Sequence, residues 1–310
     1  MPAVRRRRAL LALCLAIVYL TWGSTYAVVV VGLRDLPPFL FGGVRFFAGG
    51  VLLLGLSLAI GNRPVFDRGE WRRVAWVALG AVVVSNGTNT WAMQWVPSNQ
   101  AALLNATAAL WIAGLGAFGR RAQPLDRLTV CGLLLGFAGT IMIVLRHGAL
   151  QWSGALLPEL IVLVGVLGWS LATIYLRNSP PGNDLLTFTA VQMLLGGSAL
   201  LAIGIGAGEL PRWHWGRDGL LALAYMTLLS SGIAYTAYAW LTQHATPAVV
   251  GTYSYVNPAI AAIVGWWLLD ERLGPWQTAG MLVILASVVL VTWRSAEAPS
   301  RAAIQQGHRA

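Results

Sequence analysis

Long apolar runs alternate with short polar breaks along the whole chain. The runs fall near residues 9–33, 38–61, 74–95, 99–119, 127–145, 154–176, 184–207, 218–242, 246–269 and 276–293. Several exceed the roughly 18 uncharged residues needed to cross a hydrocarbon core of about 30 Å as a helix. The breaks are rich in Pro, Gly, Asn and Arg, as in Leu36-Pro37-Pro38, Asn62-Arg63-Pro64 and Ser179-Pro180-Pro181-Gly182. Hydrocarbon offers backbone groups no partner, so each run must bond within itself and is expected to be helical. The pattern predicts an all-α integral membrane protein with ten transmembrane helices. Arg5–Arg8 followed by Ala9–Leu20 resembles a signal peptide. The apolar run continues to Leu33 with no small-x-small cleavage site behind it, so it is expected to be the first span.

Composition fits that picture. Hydrophobic residues make up 57% of the 310 residues and charged residues 10%, where a soluble globule carries about 25% charged residues. The formal net charge is +10, and all 21 basic residues are arginine. Without lysine there is no Walker-type phosphate loop and no Schiff base. H-E-x-x-H and G-x-S-x-G are both absent, so no enzyme is expected. Cys14 and Cys131 sit in apolar runs and are expected to be buried, and the four histidines match no metal-ligand spacing. No cofactor and no metal are therefore expected.

Arginine placement orients the chain. Fifteen of the arginines fall at one membrane face, five at the other, and Arg45 lies within a span. The positive-inside rule then puts both termini in the cytoplasm, and the charge needs no nucleic-acid partner. Trp71, Trp76, Trp152, Trp213, Trp215, Trp276 and Trp293 fall at expected membrane interfaces. Arginine in place of lysine suggests a GC-rich genome, hence a bacterial inner membrane.

The two halves echo each other. Trp22 and Trp169, Val44 and Val191, and Gly49-Gly50 and Gly196-Gly197 are each separated by 147 positions, while Ser98 and Thr246, and Gly132 and Gly280, are separated by 148. Five spans per half is odd, so the halves insert with opposite orientation, as in inverted-repeat transporters. The expected units are residues 9–146 and 154–293, with cytoplasmic tails at 1–8 and 294–310.

Three segments, Trp22-Gly23-Ser24-Thr25-Tyr26, Pro37-Pro38 and Gly43-Val44-Arg45-Phe46, resemble the opening of an EamA-type carrier of the drug/metabolite transporter superfamily. Ser254-Tyr255-Val256-Asn257-Pro258 and Leu269-Asp270-Glu271-Arg272-Leu273 resemble its closing repeat. The resemblance covers roughly residues 10–293. It implies ten helices around a central cavity and passage of small metabolites, often export. The first repeat departs from the pattern, with Leu110 and Gln123 where the second has Pro258 and Glu271.

Polar groups inside spans mark function or interhelical bonding. Asn86, Thr90 and Gln94 recur every four residues on one face of the third span, with Asn89 and Trp91 beside them. The fourth span offers Asn105, Thr107 and Trp111, and the ninth Tyr253, Tyr255, Asn257 and Pro258. Trp22, Ser24, Thr25 and Tyr26 in the first span complete the set with Trp169, the repeat partner of Trp22. Arg45 is the one cation within a span, flanked by Gly42 and Gly49, with the neutral Gln192 as its repeat partner. It is expected to tie helices together through helix-end carbonyls, or to meet an anionic solute. Glu159 is the one acid clearly inside a span, and an interfacial role is expected for it rather than proton coupling. The small-xxx-small pairs Gly132/Gly136 and Gly204/Gly208 read as internal contacts, or as a homodimer face.

The expected function is secondary transport of a small organic metabolite, amino acid-like or drug-like. Its partners are that solute and the lipid bilayer. An organic-anion or sugar-phosphate exchanger needs several buried cations, where the spans hold Arg45 alone. A non-transporting scaffold gains little from so many buried polar groups.

Overall fold

The computed structural model describes residues 2–62, 64–117, 127–144, 156–244 and 253–297. Among these residues there are ten long helices, a short 3₁₀ turn at Leu210–Arg212 and no strand. We number them α1 (Pro2–Gly32), α2 (Pro38–Ala59), α3 (68–92), α4 (98–115), α5 (Arg127–Val144), α6 (Leu156–Asn178), α7 (Leu185–Gly206), α8 (217–244), α9 (Tyr253–Leu269) and α10 (Pro275–Glu297). By length and composition five described stretches suffice to cross a membrane: Arg8–Gly32, Pro38–Ala59, Leu156–Asn178, Leu185–Gly206 and Arg217–Tyr238. Val130–Met142 and Val256–Leu269 are shorter apolar helices. The chain is an all-α membrane protein built from two five-helix repeats.

Helix starts follow local chemistry. Pro38 opens α2 and Pro275 opens α10, where a missing amide hydrogen costs nothing. Asp67 accepts from the Glu70 amide at 2.6 Å, so α3 begins at Arg68, six residues before the apolar run. Asp184 accepts from the Thr187 amide at 3.0 Å and caps α7. Just past the ends of α2 and α7, Gly61 and Gly208 take positive φ, +92° and +71°, which only glycine adopts without strain. They stand 147 positions apart. Gly208 is therefore a helix terminator and has open space around it, not half of a packing pair, whereas Gly204 does pack, against Leu40.

Packing repeats with the same symmetry. α2 lies on α7, α4 on α9 and α5 on α10, so these repeat partners meet one another. α1 packs on α8 and α9, and α6 on α3 and α4, the equivalent arrangement in each half. At the α2–α7 crossing the backbones touch: a Cβ on Gly197 would lie 2.5 Å from the Phe47 amide, and one on Gly50 would lie 2.9 Å from the Ala190 carbonyl. Gly80 of α3 and Gly168 of α6 meet in the same way, each hypothetical Cβ falling 2.9 and 3.0 Å from the other's carbonyl. Large apolar side chains such as Leu13, Leu52, Leu134, Leu171 and Trp267 face outward, as a lipid-facing surface requires.

Cys14 is buried, but Cys131 is exposed on α5, against the expectation for both. An apolar run in a membrane protein has lipid-facing positions as well as core positions, and sequence spacing alone does not separate them. Of the expected interfacial tryptophans, Trp71, Trp76, Trp215 and Trp276 are exposed and Trp213 is half-buried. Trp152 lies outside the described residues, as does the side chain of Trp293.

Glu70, in the first turn of α3 ahead of the apolar run, ties the two halves together. It accepts from Arg73 Nη1 at 2.5 Å, from the Gly182 amide at 3.0 Å, and from the amide and Nδ2 of Asn183 at 3.3 and 3.2 Å. Burial pushes its carboxyl upward, but the donors from Arg73, Gly182 and Asn183 outweigh it and hold the group below the ordinary carboxylate range. A lowered folded-state pKa stabilises above the unfolded value of about 4.3, and that contribution disappears as pH falls through the folded value. The Tm gap between wild type and Glu70→Gln in detergent is therefore largest near neutral pH and closes on acidification. A gap independent of pH contradicts this linkage.

Candidate functional site

The helix breaks make room at the centre. Residues 78–87 of α3 and 225–234 of α8 are both wound as π-helix, at the repeat offset of 147. A π turn redirects backbone bonds from i→i+4 to i→i+5 and is frequent at functional sites. Side chains occupy the displaced carbonyls: Asn86 Nδ2 donates to Ala81 O at 2.7 Å, Thr88 Oγ1 to Val84 O at 2.5 Å and Asn89 Nδ2 to Ser85 O at 2.8 Å. In α9, Pro258 cannot donate to the Ser254 carbonyl. α4 has no proline at the matching Leu110, yet it is interrupted at Thr107, whose hydroxyl donates to Leu104 O at 2.6 Å.

These breaks surround a cavity of about 140 Å³. Trp22, Thr25, Tyr26, Arg45, Asn86, Asn105, Trp169, Tyr253, Asn257 and Pro258 line it. A smaller compartment of about 90 Å³ shares Thr25, Tyr26, Arg45, Asn86 and Asn105 and adds Asn89 and Thr90. Four sequence candidates lie elsewhere. Ser24 donates to Leu20 O and pairs with the Tyr225 hydroxyl at 2.7 Å. Trp91 packs on Trp95 with centroids 4.7 Å apart. Thr107 is fully buried at the α4 break, and Trp111 meets Phe137 edge-on at 5.1 Å. The Tyr255 side chain lies outside the described residues.

Ser85, Ser230 and Tyr235 also line the cavity, and the sequence reading missed them. The signal existed in α8, where Thr227, Ser231 and Tyr235 recur every four residues, like Asn86, Thr90 and Gln94 in α3. Aromatic rings form one wall: Trp22 stands 5.1 Å from Tyr235, 5.1 Å from Tyr238 and 5.5 Å from Tyr253. Trp22 Nε1 donates to Ser230 O at 3.4 Å, anchoring that wall to the π segment of α8. Asn105 Nδ2 donates to Asn89 Oδ1 at 2.6 Å, so part of the polar wall is also interhelical bonding.

Arg45 is 7% exposed. It meets serine hydroxyls rather than helix-end carbonyls: Nε donates to Ser231 Oγ and Nη2 to Ser230 Oγ, both at 3.3 Å. Its guanidinium carbon lies 4.4 Å from the centre of the Phe46 ring. Among the described residues no carboxylate reaches it. Glu159, in the first turn of α6, is 1% exposed and accepts from Gln100 Nε2 at 2.6 Å. It does not line the cavity, and neither does any other described acidic residue.

The profile of the EamA-like transporter family matches residues 9–145 and again 156–293. A protein named uncharacterized inner membrane transporter YedA, from Escherichia coli strain K12, is 34% identical over 282 residues, covering 88% of this chain and 88% of its own. Uncharacterized transporter YoaV of Bacillus subtilis strain 168 is 24% identical, covering 89% of this chain and 94% of its own. One solved crystal structure, 20% identical, matches with a TM-score of 0.66 over 94% of this chain and 99% of its own, a likeness of fold alone. The chain belongs to the EamA-like transporter family and is a membrane transporter, not an enzyme.

Arg45 and its serines form a coupled set with a testable asymmetry. Removing both hydroxyls in Ser230→Ala/Ser231→Ala leaves a buried cation without acceptors, at a cost of about 1.5–3 kcal/mol. Adding Arg45→Gln to that pair removes the stranded charge and recovers part of the lost Tm. Equal Tm for the double and triple variants in thermal unfolding contradicts the coupling.

Proposed function

We propose that this EamA-like transporter is a secondary carrier of the bacterial inner membrane that exports a small organic metabolite by alternating access around the central cavity. The observation that carries the reading is a polar and aromatic cavity between the repeats, holding a buried arginine that no described carboxylate neutralises. The relative named as an inner membrane transporter supports the location. Fifteen arginines at the N-terminal face support cytoplasmic termini.

Size and charge narrow the cargo. About 140 Å³ matches a solute the size of benzene, which fills an engineered cavity of roughly 150 Å³. A nucleotide sugar needs more room and more cations than Arg45 supplies. An amino acid-like metabolite suits the volume, and Arg45 favours one bearing an anionic group. The absence of acids among the described lining residues favours exchange or facilitated diffusion over proton coupling.

Two measurements test the reading. In proteoliposomes loaded with mixed unlabelled amino acids and small carboxylates, labelled members of the mixture enter by counterflow at equal pH on both sides. Exchange no faster than in protein-free vesicles overturns the carrier assignment. A cytoplasm-only reporter fused after Ala310 is active, whereas activity of a periplasm-only reporter there overturns the orientation.

A further inference from the structure

We propose that the outward face of the first turns of α3 binds an anionic phospholipid. Arg68 and Arg72 take the headgroup phosphate, and the acyl chains run along Trp76 and Leu79.

Burial divides α3 into two faces. Glu70, Val74, Val77 and Ala81 are buried and turn inward. At 3.6 residues per turn, Arg68, Arg72 and Leu79 stand on the opposite face with Trp76 beside them, and all four are exposed. Trp76 and Leu79 belong to the apolar run of a membrane protein, so their surroundings are lipid. The same face continues towards the helix start. Arg72 precedes Leu79 by seven residues and Arg68 precedes Trp76 by eight, which is about 10 and 12 Å at 1.5 Å per residue. Cation, indole and aliphatic side chain thus follow one another in the order of phosphate, interface and acyl chain.

The protein does not consume these two cations. Arg73 pairs with Glu70 on the cleft side of the helix. Among the described residues no carboxylate pairs with Arg68 or Arg72. Asp67 caps its own helix by accepting from the Glu70 amide at 2.6 Å, so the amide end of α3 is occupied and the side-chain face is what remains. Like charges at i and i+4 repel and destabilise a helix, and a phosphate between them reverses that term. Arginine suits it, because a guanidinium meets phosphate oxygens as a planar fork.

The edge of this face is fixed in advance. The Val65 amide donates to Asn183 Oδ1 at 2.9 Å, and Asn183 Nδ2 donates to Val65 O at 2.8 Å. The next residue, Phe66, packs on Trp71 with ring centroids 5.1 Å apart. Trp71 is exposed between the two arginines in the chain, and a ring held this way loses little freedom when a lipid arrives. The other half does not copy the face. At the offset of 147, Arg68, Arg72 and Trp76 correspond to Trp215, Gly219 and Leu223. The arginines therefore answer to something that acts on one membrane face only.

The test titrates the full chain, purified in detergent, with phosphatidylglycerol or phosphatidylcholine of identical acyl chains. Bound lipid is counted by native mass spectrometry. Wild type binds phosphatidylglycerol about 10-fold or more tighter, as two arginines at a lipid surface imply. Arg68→Gln/Arg72→Gln brings the two lipids near parity, and Arg68→Lys/Arg72→Lys keeps most of the preference. Arg212→Gln, beyond the far end of α7, keeps the wild-type preference. Glycerol 1-phosphate, which lacks acyl chains, does not displace the lipid at equal concentration.

Equal binding of the two lipids by wild type, or a preference that survives about 1 M salt, overturns the proposal without any variant. A folded glutamine double variant that keeps the preference overturns it too. An equal loss in Arg212→Gln makes the effect one of general surface charge and removes the site. Displacement by glycerol 1-phosphate makes it a site for free phosphate esters and removes the lipid.

Discussion

Hydrocarbon cannot hydrogen-bond a peptide group, and that constraint governs where this chain spends its few charges. A helix leaves its first four amide hydrogens unsatisfied, and in the bilayer core water does not supply the missing acceptors. The described carboxylates are placed accordingly. Asp67 and Asp184 cap their own helices. Glu209 reaches from beyond α7 to the Leu40 amide at 2.9 Å, and Glu271 reaches from beyond α9 to the Ser98 and Asn99 amides at 2.7 and 3.1 Å. Asp35 takes the Gly219 amide at 2.7 Å at the start of α8. Each also sits where the positive end of the helix dipole favours an anion. Acids are spent holding one helix to the start of another, and none remains among the described residues of the cavity wall.

That economy explains both the symmetry and its breaches. Repeat partners must meet closely on the axis, so glycines face backbone at the α2–α7 crossing, and the positions match at 147. Turns and terminators also match, because Gly61 and Gly208 solve the same geometric problem twice. Cavity residues need not match. Arg45 stands opposite Gln192 in the repeat, and Pro258 opposite Leu110. A wall that meets a solute without twofold symmetry can itself be asymmetric, and these are the positions where the halves differ.

Much of the fold was legible in the sequence, for a physical reason. Span length is imposed by bilayer thickness, and the helix ends observed at Ala59, Gly206 and Leu269 lie within two residues of those expected. The start of α3 was hidden because the cap formed by Asp67 and Glu70 lies in a polar segment that hydropathy passes over. The π segments were not legible, since ALGAVVVSNG and YMTLLSSGIA share almost no chemistry. Their register depends on contacts made elsewhere, such as the Gly80–Gly168 approach, which no local propensity encodes. Trp91 and Trp111 show the matching limit for side chains: helical spacing gives a face, but only packing decides whether that face meets a cavity or another helix.

Arg45 carries the two roles that its sequence position left open. It fixes α2 to the π segment of α8 through Ser230 and Ser231, and it presents its remaining donors to the cavity. These roles support each other. A buried cation held only by two neutral hydroxyls at 3.3 Å is under-compensated, because charge-assisted bonds to a carboxylate are shorter and stronger. On the carrier reading proposed above, an anionic solute would supply the missing countercharge, at the contact that joins the first half to the second. On that reading, a solute bound at Arg45 would act on the contact between α2 and α8, an interface that alternating access would have to shift. A carrier in which an internal carboxylate paired with Arg45 would be more stable when empty and would give its cargo less influence over that shift.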